Sequence, residues 1–216
     1  MNAASDVEER PQTLGEEIAN SVSHGVGLVA GLVAAPFLIT AAFRHSAWAL
    51  AGASIFAGSM VALYLASTVY HALSRTRARH VLRVVDHAAI YVLIAGSYTP
   101  FALTVLRGPW GWTLLAIVWS FAVIGVLLKM TGGLWHPRWS TAAYLGMGWI
   151  AILALRPLWQ NLPLPGFGLL IAGGLSYTVG VAFFHLERLR YSHFIWHLFV
   201  LAGTACHFLA VFWSVA

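Results

Sequence analysis

The 216-residue chain is 60% hydrophobic and only 9% charged, with a formal net charge of +5 and a mean hydropathy of +0.78. Soluble domains carry about 25% charged residues, so composition excludes that class. The charges sit in short islands between long apolar runs, the pattern of a polytopic α-helical membrane protein. The single cysteine, Cys206, excludes an intramolecular disulfide and a cysteine-rich metal site. The arginines lie at run ends and no basic stretch is interleaved with aromatics, so no nucleic-acid partner is expected.

In chain order, the first twenty residues are acidic, with Asp6, Glu8, Glu9, Glu16 and Glu17 against Arg10. They lack the basic start of a signal peptide, so the first apolar run is expected to be a retained span. Residues 1–14 are expected to form a mobile polar tail ahead of one transmembrane domain, 15–216. Seven apolar runs follow, at about 20–43, 47–73, 84–106, 110–129, 141–158, 165–184 and 193–215. Each is near the ~20 residues that cross a ~30 Å hydrocarbon core. The predicted fold is therefore an all-α integral membrane protein, a seven-transmembrane helix bundle.

Lys and Arg placement predicts the orientation. With the N-terminus cytoplasmic, the inner segments hold nine basic residues: Arg10, Arg75, Arg77, Arg79, Arg83, Lys129, Arg138, Arg188 and Arg190. The outer loops hold three, Arg44, Arg107 and Arg156. This predicts a multi-pass protein of the cell (inner) membrane with its N-terminus in the cytoplasm and its C-terminus outside. Trp48, Trp110, Trp112, Trp135, Trp139, Trp159 and Trp213 stand near run ends, where tryptophan anchors spans at the interface. Gly25, Gly27 and Gly31 predict close helix packing. Gly96, Ser97 and Pro100 predict a packed, kinked third helix.

Orientation fixes depth. His71 closes the second run, Asp86 and His87 open the third, His193 and His197 open the seventh, and Glu16, Glu17, Asn20 and His24 open the first. At 1.5 Å per residue these groups fall within about two turns of one membrane face. Ionisable groups in membrane spans are costly and face the bundle interior. His193 and His197, four apart, share one helix face, about 40° apart around the axis. Ser67 shares the face of His71 in the same way. Three imidazoles with a nearby carboxylate suit Zn²⁺, with Fe²⁺ as the alternative. His71, His193 and His197 are thus candidate ligands. Asp86 would act through a water or as general base, and Ser67 would support it. Asp86 pairing with Arg79 or Arg83 at a helix start is the other reading of that residue. Glu17, Asn20 and His24 form one stripe, readable as an acidic helix start or as support and substrate contacts facing the metal. His45, His80, His136 and His185 read as interfacial histidines. His207, about 15 Å deeper than His197 by helix rise, reads as a buried hydrogen-bonded residue outside the metal set.

The set Glu17-x-x-Asn20-x-x-x-His24, Ser67-x-x-x-His71, Asp86-His87-Ala88-Ala89-Ile90-Tyr91 through Ala95-Gly96-Ser97-Tyr98-Thr99-Pro100, and His193-x-x-x-His197 resembles the bacterial haemolysin III family. That family is the prokaryotic branch of the progestin and adipoQ receptors, which include the adiponectin receptors and are related to alkaline ceramidases. The resemblance implies a seven-helix bundle with a zinc site at its cytoplasmic side. It also implies His71, His193 and His197 as ligands and Asp86 acting through a water. His87 and Tyr98 lie within its motif and join the candidate support or substrate residues. No counterpart of the large N-terminal domain of the animal receptors is expected, so hormone recognition is not carried over.

Three functions follow as expectations. The first is a zinc-dependent hydrolase of a membrane lipid, an amide of ceramide-like type, with the lipid as its partner. The second is a non-catalytic sensor or regulator of membrane lipid with a structural metal. The third is a haemolysin-like pore former, against which stands the absence of a charged stripe along any run.

Overall fold

The computed structural model describes residues 10–132, 137–186 and 188–215. The expected tail falls mostly outside these residues, as do Trp135 and His136. Thr13 starts the first helix through a capping box. Its hydroxyl accepts from Glu16 N (3.3 Å), and the Glu16 carboxylate accepts from Thr13 N (2.9 Å). Helix α1 therefore begins at Leu14 and runs to His45, six residues earlier than the apolar run alone suggests. Polar Glu16 and Glu17 belong to it because a capped first turn favours acidic side chains.

Ser46 ends α1 and caps α2, Ala47–Ala72. Helix α3 spans Arg79–Leu103 and takes in Arg79 and Arg83. Helix α4, Pro109–Thr131, starts with proline in its first turn and stops at Gly132 with φ 83°, a left-handed residue that closes a helix. The fifth span is broken. It comprises α5, Pro137–Trp149, a 3₁₀ segment Ile150–Ala154, and α6, Leu155–Asn161. Helices α7, Leu164–His185, and α8, Ser192–Val215, complete seven spans long and apolar enough to cross a membrane. The described residues contain no strand.

The spans close into a ring. α1 packs on α2 and α8, α2 on α3, α3 on α4 and α7 on α8, while the fifth span bridges α3 and α4 to α7. The α1–α2 seam uses the expected small residues, since Gly27 faces Tyr64 and Gly31 faces Met60. At the α2–α3 seam a Cβ on Gly52 would stand 2.7 Å from Pro100 Cα, so the two backbones meet there. Outward faces are apolar, as Val22, Val26, Val29, Val33 and Phe37 show along α1. Trp48, Trp110, Trp112, Trp139, Trp159 and Trp213 are all exposed near span ends, as interfacial anchors should be.

Candidate metal centre

The first residues of α1, α3 and α8 and the last turn of α2 meet at one end of the bundle. One donor atom from each of His71, His193 and His197 lies within 4.8 Å of the others. The three ring centroids are 4.6–5.1 Å apart. His71 and His197 are buried and His193 is half-buried.

Each of two rings is held from behind. His71 Nδ1 lies 2.7 Å from Glu17 Oε2, and Glu17 also takes Arg79 at 3.4 Å. That leaves His71 Nε2 buried without a hydrogen-bond partner. Buried polar atoms are rarely left unpaired, and an imidazole whose back nitrogen is bound by a carboxylate is the usual posture of a metal ligand. His197 Nδ1 meets Asn20 O at 3.2 Å and Ser23 Oγ at 3.1 Å. Three imidazole nitrogens, one of them an orphan, fit a Zn²⁺ ion, whose bonds to nitrogen are about 2.0–2.1 Å.

Asp86 is buried beside them, with the Ser67 hydroxyl donating to its carboxylate. Arg79, one of the two arginines read as alternative partners of Asp86, reaches Glu17. Of the first-helix stripe, Glu17 holds His71. Asn20 contributes its backbone carbonyl to His197, while its side-chain amide donates to Gln12 Oε1 at 2.5 Å. His24 stacks on His197 with centroids 3.6 Å apart, and both its ring nitrogens are buried without partners. The helix-start reading of this stripe holds as well, since its glutamates occupy the first turn.

His87 lines the cavity below the cluster, and its backbone carbonyl accepts from Tyr144 OH at 2.9 Å. Tyr98 also lines the cavity but stands twelve residues along α3 from Asp86, about 18 Å by helix rise. Its hydroxyl serves the break in the fifth span, accepting from Ala151 N at 2.9 Å and donating to the carbonyls of Met147 and Gly148. His207 Nε2 donates to Leu170 O at 3.3 Å, well away from the cluster. His45, His80 and His185 are exposed.

Two contacts that support the cluster escape a reading of the sequence. Ser23 has no motif around it. Glu16 belongs to no ligand pattern, yet its Oε1 accepts the Tyr191 backbone N–H at 2.9 Å. Tyr191 has φ 60°, the left-handed region that non-glycine residues seldom occupy, and it immediately precedes α8. Arg10 grips the same carboxylate with its two terminal guanidinium nitrogens at 2.5 and 3.1 Å. The sharp corner leading to His193 is thus pinned to the start of α1.

A cavity of about 800 Å³ opens from the cluster, within the range of ligand pockets. It runs through the ring as far as Leu106, Leu114 and Leu158 near the opposite end, and most of its wall is apolar.

A family model described as haemolysin-III related matches residues 12–208. The chain belongs to the haemolysin III family. Within it, the chain is 45% identical over 205 residues to the Hemolysin-3 of Bacillus cereus, covering 94% of each. It is 44% identical over 200 residues to the Hemolysin-3 homolog of Bacillus subtilis, covering 92% of this chain and 94% of that one. It is 28% identical over 205 residues to the human Monocyte to macrophage differentiation factor, covering 91% of this chain and 83% of that one. The haemolysin III match takes in every residue of the cluster, from Glu16 to His197.

Proposed function

We propose that the chain is a zinc-dependent hydrolase of the cell (inner) membrane, cleaving an amide bond in a lipid, with its N-terminus and metal end on the cytoplasmic side. The observation that carries this reading is the three-histidine cluster at the mouth of a long apolar cavity, with a buried carboxylate beside it. The basic residues support the orientation, nine against three.

His71, His193 and His197 would hold the ion, and three protein ligands leave zinc a fourth position, the arrangement of catalytic rather than closed structural sites. That favours a hydrolase over a sensor with a structural metal. Bound zinc supplies a lowered water pKa and a Lewis acid for the carbonyl. Asp86 takes the proton of the attacking water and returns it to the leaving nitrogen as the C–N bond breaks and the new C–O bond stays. Ser67 orients Asp86 by its hydrogen bond, and Glu17 fixes the tautomer and pose of His71. The apolar cavity holds the acyl chain and keeps bulk water from the reacting carbonyl. The pore-forming alternative has the name of the Bacillus relatives behind it and no feature of the cavity wall.

The test is zinc content and lipid turnover of purified protein. His197→Ala is expected to lose both. Asp86→Asn is expected to keep zinc and lose turnover by about 10²-fold or more, the scale of general acid–base catalysis. Metal-free protein that cleaves lipid amides as fast as the loaded form overturns the mechanism.

A further inference from the structure

We propose that His24 of α1 binds the carbonyl oxygen of the lipid in this cavity, donating a hydrogen bond to it from the ring N–H. The inference rests on the cavity being a lipid site, as proposed above, and adds a substrate-contacting residue to that reading.

His24 is only 3% exposed and forms part of the cavity wall. A neutral imidazole has one donor and one acceptor nitrogen, and at His24 neither has a partner. Buried polar groups are rarely left so, because losing water without gaining a hydrogen bond is costly. Among the described residues, six buried side-chain polar atoms lack a partner, and four of them belong to Asn20, His24 and His71. Unmet hydrogen-bonding capacity is therefore concentrated at the metal end. The metal reading accounts for His71 Nε2 and leaves His24 unexplained. Its ring lies on that of His197, with centroids 3.6 Å apart and planes within 5° of parallel. A ligating imidazole points its nitrogen at the ion in its own ring plane, so two stacked rings do not share one ion. The donor atoms that gather within 4.8 Å accordingly come from His71, His193 and His197 and not from His24.

Neighbouring donors are already used. The Asn20 amide donates to Gln12 Oε1 at 2.5 Å, the Ser23 hydroxyl to Asn20 O at 2.8 Å, and the Ser67 hydroxyl to Asp86. Asn20 Oδ1, one turn before His24, is unpartnered too, but it only accepts. His24 thus keeps a buried N–H to give, one stacked ring away from a candidate ligand. Its pose is fixed without using either nitrogen, since His197 covers one face and the Tyr64 ring stands 5.2 Å away, tilted by 58°. An acyl lipid brings the matching acceptor. Its carbonyl joins the chain to the headgroup, so a chain that fills the apolar part of the cavity leaves the carbonyl at the polar end, where His24 lies. A carbonyl oxygen gains negative charge as its carbon is attacked, and a donor already in place holds it more strongly as that happens.

The test reads the carbonyl itself, with a probe that has no bond to cleave. Zinc-loaded full-length protein in a neutral detergent is titrated with a long-chain dialkyl ketone, isotope-labelled at its carbonyl carbon, and with the alkane of the same length. Thermal stability reports binding, and infrared difference spectroscopy reports the carbonyl stretch. The ketone is expected to bind about tenfold more tightly than the alkane, the scale of one hydrogen bond. Its stretch should fall below that of the ketone in hydrocarbon. His24→Phe keeps a stacked ring and removes the donor, so it should abolish both the preference and the shift with zinc content unchanged. His24→Gln, which retains an N–H, should recover part of each. Zinc also polarises carbonyls, so the spectrum is repeated after chelation, where the shift should persist. A ketone bound no better than the alkane overturns the proposal, as does an unshifted stretch in the wild type. A shift that survives His24→Phe assigns the hydrogen bond to a trapped water or the metal and overturns it as well. Zinc loss in His24→Phe makes His24 a support of His197 and likewise overturns it. If His24→Phe does not fold, the zinc-free wild type decides, a lowered stretch supporting the assignment and an unshifted one sinking it. Because the probe is never cleaved, failure of the hydrolase reading shows in the turnover assay alone and leaves this result separate.

Discussion

At the scale of single residues, the cluster depends on what holds each imidazole from behind. Glu17 binds the back of His71, and a carboxylate in that position raises the basicity of the ring and fixes its pose. Glu17→Gln is expected to weaken zinc binding by about 10–100-fold while the protein stays folded. Competition with a chelator of known affinity measures this. Ser23→Ala should have a smaller effect in the same assay, because the Asn20 carbonyl remains on His197 Nδ1. The three clustered histidines were legible in the sequence because the parity of the spans places them at one depth. Glu17 was legible as a stripe partner without its contact, since the stripe fits a plain acidic helix start equally well. Ser23 was not legible. It lies about 100° around the helix from His24, off the stripe, and only the seating of α8 brings His197 over it.

At the scale of elements, two helices are tied together by an acid that is a capping residue to the eye. Glu16 completes the capping box of α1 and also accepts the N–H of strained Tyr191 ahead of α8. Glu16→Gln keeps a capping side chain at the third position of the helix. It loses the charged pair with Arg10 and weakens the hold on Tyr191. It is expected to leave helix content unchanged by circular dichroism while lowering zinc affinity, because His193 and His197 follow directly from that corner. The partners are 175 residues apart in sequence, so no local pattern announces the contact. The fifth span shows the converse. Its apolar run read as one continuous helix over 141–158, but it is interrupted at Ile150–Ala154. Hydropathy is blind to this because the segment that breaks is itself apolar. The Tyr98 hydroxyl satisfies Ala151 N within the break. Tyr98→Phe leaves that N–H without a partner and should lower stability by about 1–3 kcal/mol. A thermal melt reads the loss, with zinc content unaltered.

At the scale of the whole molecule, the ring of seven spans encloses a cavity with its chemistry gathered at one end and apolar walls beyond. Ring closure depends on backbone contact at seams such as Gly52 against Pro100. Gly52→Val is expected to cost roughly 1–3 kcal/mol by overpacking and to lower the yield of folded protein in detergent. Seven spans and their order were legible because a membrane forces each backbone to satisfy itself as a helix of fixed length. The extent and lining of the apolar cavity were not, because the gap between helices is set by side chains from every span at once. The central claim is that His71, His193 and His197 form a metal site. It is tested most directly by elemental analysis of the purified chain and its three single His→Ala variants. Near-stoichiometric zinc in the wild type, with loss in each variant, is the predicted result. A wild type without bound transition metal, or variants that keep the wild-type complement, would contradict it.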